Sequence, residues 1–138
     1  MPCGEFEFQQ GGLESLVDIP DATFDAAILS NVIDNLYPED AMLLLCACSR
    51  ILKENGKMLV KLNSCLTQKQ IVEWNIQTIS GNLVDDGLLL WNNTTEQWRE
   101  ILNVHFEIYL EGEIYYPEHE QTNRLFCLIN RRNKLIEA

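Results

Sequence analysis

The sequence predicts an α/β fold in which parallel strands are followed by an antiparallel C-terminal hairpin. Two short buried-type runs, Phe24–Ser30 and Lys57–Asn63, flank one well-capped amphipathic helix, and that arrangement makes a right-handed strand–helix–strand crossover. His105–Tyr116 alternates over the length of a long strand, and Leu125–Asn130 follows it after a polar connection. At 138 residues the chain is one domain's worth, with no linker, repeat or low-complexity stretch to divide it, so residues 1–138 are read as a single domain.

The elements follow in order. Glu5–Phe8 alternates and reads as a short strand, stopped by a turn at Gln9–Gly12. Leu13–Leu16 is a helical turn and Ile19–Thr23 a loop. Phe24–Ser30 is almost continuously apolar, which suggests burial on both faces in the middle of a parallel sheet. Pro38 suits the first turn of a helix, with Glu39 and Asp40 at its positive end. Ala41, Leu44, Leu45, Cys48, Ile51 and Leu52 recur at helical spacing. Lys53 closes that helix and Asn55–Gly56 stops it. Lys57–Asn63 is the second buried-type strand, and Thr67–Gln70 is a capping box opening a helix to about Trp74. Asn75–Trp91 reads as a loop with a short strand at Leu88–Trp91. Thr94–Gln97 is a second capping box, ahead of a helix carrying Trp98, Ile101 and Leu102 on one face. In the strand His105–Tyr116, Gly112 is a candidate bulge. Pro117–Asn123 connects it to Leu125–Asn130, and Arg131–Ala138 is a polar tail expected to fray.

Charge and composition narrow the function. Ten Lys and Arg against 21 Asp and Glu leave a net charge of -11, which repels a phosphate backbone and an anionic lipid surface alike. Neither nucleic acid nor a membrane is an expected partner. No apolar run approaches the roughly 20 residues of a membrane helix. The first residues have neither the basic start nor the apolar stretch of a signal peptide. Five cysteines, with no close C-x-x-C pair, fit reduced thiols better than a disulfide framework, so a cytoplasmic location is expected.

Three strings taken together are informative: QGGLESL, then IPDATFDAAILSNVIDNL, then PEDAMLLLCACSRILKENGKMLVKLN. This pattern, over Gln10–Asn63, resembles the second half of a class I S-adenosylmethionine-dependent methyltransferase domain. In that family a turn follows the third strand, Phe-Asp opens the fourth, and a helix ending in Arg-x-Leu-Lys-x-x-Gly leads into the fifth. Ser49–Lys57 matches that helix end closely. The family closes its sheet with a long sixth strand and an antiparallel seventh, as His105–Asn130 would. The resemblance implies a partial Rossmann-like sheet, S-adenosylmethionine as cofactor and a small-molecule methyl acceptor. It places Gly12 and Leu13 at the adenine, and Ser30, Asn31 and Val32 beside the methionine part. Gly12 stands where the family usually has Asp. The family's Gly-rich loop and the acid that grips the ribose are absent: no G-x-G occurs anywhere, and nothing upstream of Phe6 could hold two strands and two helices. The chain is expected to be such a domain without its N-terminal half, with weak or absent cofactor binding of its own.

Ser30 and Asn31 end a buried-type strand, and the C-terminal edge of an open α/β sheet is where ligands bind; small polar residues also end strands for no further reason. Asp34 and Asn35 could face substrate or cap the helix at Pro38. Trp91, Tyr116 and His119 lie in strings that mix aromatics with amides and carboxylates, as small-molecule sites do. Trp91 and Tyr116 could equally be core, and His119 a solvated loop residue or a base. His119 with Glu118 and Glu120 is too compact for a metal site, and no metal is expected. Cys46 and Cys48 point to different faces of a helix. No catalytic residue is identified.

Three readings stay open: part of an active methyltransferase, a non-catalytic binding or regulatory module that homodimerises, and an unrelated small α/β protein. In the family sheet the first strand borders the fourth; without it, Phe24–Ser30 becomes an apolar edge free of Pro and Lys. A homodimer or domain-swapped pair with Phe6–Phe8 or Phe24–Ser30 at the contact is therefore expected, strengthening as salt screens the charge.

Overall fold

The computed structural model describes residues 4–131. A four-stranded sheet forms its centre, in the spatial order β1 (Phe24–Ser30), β2 (Leu52–Leu62), β7 (Gln121–Asn130), β6 (Phe106–Tyr116). β1 and β2 run parallel, with Ala27 opposite Met58 and Ser30 opposite Lys61. The crossover between them is α1 (Pro38–Ile51). β2–β7 and β7–β6 are antiparallel. The expected parallel pair with its connecting helix is therefore present, as is the C-terminal hairpin.

One face of the sheet carries the core. Met58, Val60 and Leu62 of β2 alternate inward and meet Phe126 and Leu128 of β7. α1 adds Ala41, Leu45 and Cys48, and α3 (Thr95–Leu102) adds Trp98 and Leu102. Trp98 lies edge-on to Trp91, ring centroids 5.1 Å apart. Thr94 caps α3 and Thr67 caps α2 (Gln68–Glu73), each through the reciprocal pair of bonds its sequence spells. The C-terminus of α1 is closed from a distance: buried Asn130 donates through Nδ2 to the carbonyls of Ser49, Leu52 and Lys53 at 2.9, 3.1 and 3.3 Å.

Several expectations are corrected. Glu5–Phe8 forms no strand; Phe6 and Phe8 are 96% and 102% exposed. β1 is not buried on both faces. It is the sheet's edge, with Ile28 70% exposed, which agrees with the edge position that the absent first strand implies. α1 ends at Ile51, two residues before Lys53. Opposite Phe24 and Ala26, β2 then bulges between Leu52 and Lys57, with Asn55 at φ 65°. Gly56 is needed there because a Cβ would come within 2.8 Å of the Lys53 carbonyl. Asn75–Trp91 holds three strands, not one: β3 (Gln77–Ser80), β4 (Leu83–Asp85) and β5 (Leu89–Trp91) form a second small sheet. The irregularity in β6 falls between Ile108 and Leu110, while Gly112 pairs regularly with Leu125. β7 starts at Gln121, so only residues 117–120 turn. The tail after Arg131 lies outside the described residues.

Candidate functional site

β1 and β2 end at the same edge because they are parallel, and an asparagine follows each, Asn31 after β1 and Asn63 after β2. Asn31 takes φ 55°, which turns the chain out of β1, and its Nδ2 donates to Asn63 Oδ1 at 2.9 Å. The 3₁₀ turn Ile33–Asn35 follows. Asp34 on it is 0% exposed, and its Oδ2 accepts from the Asn63 backbone N–H at 2.7 Å and Nδ2 at 2.9 Å. Burial pushes the Asp34 carboxyl above its ordinary range, against the lowering effect of the Asn63 bonds and Arg124. Asn35 Oδ1 accepts from Asn63 Nδ2 at 3.2 Å, and its own Nδ2 donates to the Leu89 carbonyl at 2.8 Å. Neither residue caps α1, whose N-cap is Tyr37 with no side-chain bond.

Asn63 is thus the hub of a polar cluster. On its other side Arg124, 5% exposed, donates from Nη2 and Nε to the Asn63 carbonyl at 2.7 and 3.2 Å, and from Nη1 to the Asn93 carbonyl at 2.9 Å. Burial lowers the guanidinium's affinity for its proton, opposed by Cys65, Asp34 and Glu113. An arginine in this position remains a cation and serves as a strut between the two sheets.

Beside the cluster lies an open groove of about 1030 Å³, walled by the segment before β1 and by α1. Gly12 and Leu13 line it on one side and Val32, Leu29 and Leu44 on another. A Cβ on Gly12 would meet only the carboxylate end of the exposed Glu14 side chain, with Oε2 at 2.6 Å, which can swing aside. The Gly12 N–H is already bound by Glu14 Oε1 at 3.0 Å. Arg50 pins the Leu13–Leu16 turn to α1 by donating to the Leu16 carbonyl at 2.8 Å.

The structure thus brings together Ser30, Asn31, Val32, Asp34 and Asn35 at the β1 end, with Gly12 and Leu13 across the groove. Tyr116 sits nearby on the far face of the sheet, where its hydroxyl accepts from Lys61 Nζ at 2.8 Å, and Lys61 is the register partner of Ser30. Trp91 packs on Trp98 as a core residue. His119 is exposed in the β6–β7 turn, apart from the cluster. Asn63, Lys61 and Arg124 were missed in the sequence. The signal for Asn63 was present: it closes its strand as Ser30–Asn31 closes the other. A single Arg at the head of the apolar run of the last strand was the signal for Arg124.

Residues 2–60 match the family model described as a methyltransferase domain. No curated protein matches the sequence. Among solved structures, an S-adenosylmethionine-dependent methyltransferase from Methanosarcina mazei aligns over 93% of this chain and 68% of its own, at 15% identity and a TM-score of 0.76. One from Archaeoglobus fulgidus aligns over 89% of this chain and 66% of its own, at 14% identity and a TM-score of 0.59. The Burkholderia thailandensis 1,6-didemethyltoxoflavin-N1-methyltransferase, solved with its namesake compound and S-adenosylhomocysteine bound, aligns over 80% of this chain and 45% of its own, at 15% identity and a TM-score of 0.63. The chain therefore spans about half to two thirds of the solved chains it matches. Sheet order, crossover and hairpin give this chain a fold similar to part of these solved methyltransferase domains, a Rossmann-like sheet closed by an antiparallel hairpin, and its residues 2–60 match the methyltransferase-domain family model.

Proposed function

We propose that this chain is the C-terminal part of an S-adenosylmethionine-dependent methyltransferase for a small molecule, and that it binds the cofactor weakly or not at all on its own. One observation carries the reading: the groove holding Gly12, Leu13 and Val32 opens beside the polar ends of the parallel pair β1–β2. Its residues fit one side of the cofactor. Gly12 and Leu13 would border the adenine, and Ser30, Asn31 and Val32 the methionine part. The other side does not fit. The sequence has no G-x-G loop to receive the amino-acid end.

S-adenosylmethionine, when bound, supplies a methyl group on a sulfonium. The chain's own share is positioning, the main source of rate in such a transfer. Asp34 and Asn35 hold Asn63, and Asn63 holds Asn31, so the end of β1 is fixed from below. We read Asp34 and Asn35 as positioning residues and the Tyr116–Lys61 pair as a polar group available to an acceptor. The bound compound in the Burkholderia thailandensis structure supports an acceptor of small-molecule size. The thiols of Cys46, Cys48, Cys65 and Cys127 are free, which supports a reducing, cytoplasmic setting. Among the described residues no helix is long and apolar enough to cross a membrane.

Titration of S-adenosylhomocysteine into labelled protein tests this. Amide shifts confined to Gly12, Leu13 and Ser30–Val32, at a dissociation constant well above the micromolar range, are expected. Shifts centred on other residues refute the site. A low-micromolar constant, about 8 kcal/mol of binding, would show instead that the site is complete.

A further inference from the structure

Arg124 is a buried cation that no carboxylate touches. A guanidinium carries five N–H groups. Nε and Nη2 donate to the Asn63 carbonyl, and Nη1 donates to the Asn93 carbonyl and, at 3.5 Å, to Thr95 Oγ1. One N–H of Nη2 is left over, on the edge that it shares with Nη1. Among the described residues no ion pair includes Arg124. Asp34 and Glu113 act on it only from a distance. A charge taken out of water and held by neutral oxygens alone favours an anion within reach.

Arg124 lines a cavity of about 280 Å³ at the end of β2, where Ser64 and Cys65 follow Asn63. Its other walls include Glu113, Glu120 and Thr122 of the β6–β7 hairpin. Every lining residue lies between Ser64 and Arg124, so the cavity does not depend on what borders β1. Glu113 is the cross-strand partner of Arg124, which sets both side chains on one face of the hairpin. Glu113 and Glu120 are exposed where Arg124 is buried, so the cavity has carboxylates at its mouth and a guanidinium at its floor. A bare anion would have to pass both carboxylates on a chain of net charge -11, and a bare cation would meet the guanidinium. A molecule with both charges close together suits both ends. The volume is below the roughly 300–1,000 Å³ of pockets for drug-sized ligands, which points to a small one.

We infer that this cavity binds a small zwitterion of the α-amino-acid type, its carboxylate on Arg124 and its ammonium at Glu113 and Glu120. Asn63 joins the cavity to the candidate cofactor groove, since it accepts from Asn31 on one side and from Arg124 on the other. Use of the cavity for the methyl acceptor rests on the proposed methyltransferase reading; the binding itself does not.

Titration of the common α-amino acids, each to millimolar concentration, into labelled protein tests the binding. At least one should shift the amides of Ser64–Thr67, Glu113 and Thr122 together with the Arg124 Nε–H. The matching amine without a carboxylate, and the matching acid without an amine, should each bind at least about tenfold more weakly. The variant Glu113→Gln/Glu120→Gln changes only exposed side chains, so its circular dichroism should match the parent. It should lose about tenfold in affinity for the amino acid and gain affinity for the bare acid, which no longer meets two like charges. The absence of shifts at these residues with every amino acid overturns the inference. So does a bare acid or amine that binds as tightly as the amino acid, or a double variant that binds the amino acid unchanged. S-adenosylhomocysteine is read at Gly12 and Ser30–Val32 instead, so either site can fail without the other.

Discussion

Asp34 is the carboxyl that the site takes out of water. It is fully buried, its Oδ2 holds Asn63 and its Oδ1 has no hydrogen-bond partner. Its folded pKa is raised from 3.8, with burial the largest cause. An acid whose pKa is higher folded than unfolded binds more protons in the native state between the two values. Stability therefore falls as pH rises through that window. Asp34→Asn keeps an acceptor for Asn63 and removes the charge. The variant should gain on the parent as pH rises from below 3.8 through the raised value, and the gap should then level off. Urea unfolding of both proteins across that range checks it; a constant gap would mean that Asp34 is not held uphill. Cys48 needs no functional account: burial pushes its thiol up to about 11, leaving it inert as a small core residue.

Among the elements, the two capping boxes allow a controlled comparison, because the same chemistry opens two helices of different standing. α3 carries Trp98 and Leu102 into the main core, whereas α2 has no buried residue. Thr94→Ala should cost about 1 kcal/mol of global stability. Thr67→Ala should cost less in global unfolding and show itself as faster local exchange in α2. Equal losses in urea unfolding would show that α2 is as much part of the cooperative core as α3. Both boxes were legible in the sequence, as were β1, α1 and β2, because periodicity and end signals agreed there. The misses have physical causes. The hairpin β3–β4 turns through Gly81 and Asn82, with Gly81 at φ 56°, but its short strands hold the Gln, Thr, Ser and Asp that also make loops. Apolar composition in β1 reports what the strand can bury, and the edge position leaves it exposed. Alternation in Glu5–Phe8 reports a capacity to pair, which no strand among the described residues meets. In the site, strand ends were readable, while the Asn63 hub needed the parallel register to bring Asn31 and Asn63 together.

At the scale of the whole molecule, stability is unevenly distributed. The main sheet buries one continuous cluster running from Ile33 and Leu45 through Val60 to Trp98 and Leu128. The small sheet's own cluster is Leu66, Val84 and Leu90, with Ile71 and Ile76 beside them. Its strands are three or four residues long, and every residue of β3 is exposed. What ties it to the rest is Trp91 of β5 against Trp98, the Arg124 bond to the Asn93 carbonyl and the Asn35 bond to the Leu89 carbonyl, while Asn92 binds both backbone groups of Leu66 within the small cluster itself. Such bonds contribute about 1 kcal/mol each, far less than burial of the main cluster. The small sheet should therefore open without the main one. In native-state hydrogen exchange, amides of β3 and β4 should exchange at least about tenfold faster than those of β2 and β7, and their exchange should depend little on added urea. β5 should lie between, because Asn35 holds its Leu89 carbonyl. Equal protection across both sheets, with one shared urea dependence, would mean that these ties couple them into a single cooperative unit. The polar cluster around Asn63 would then be structural mortar for the whole domain as well as the support of its site.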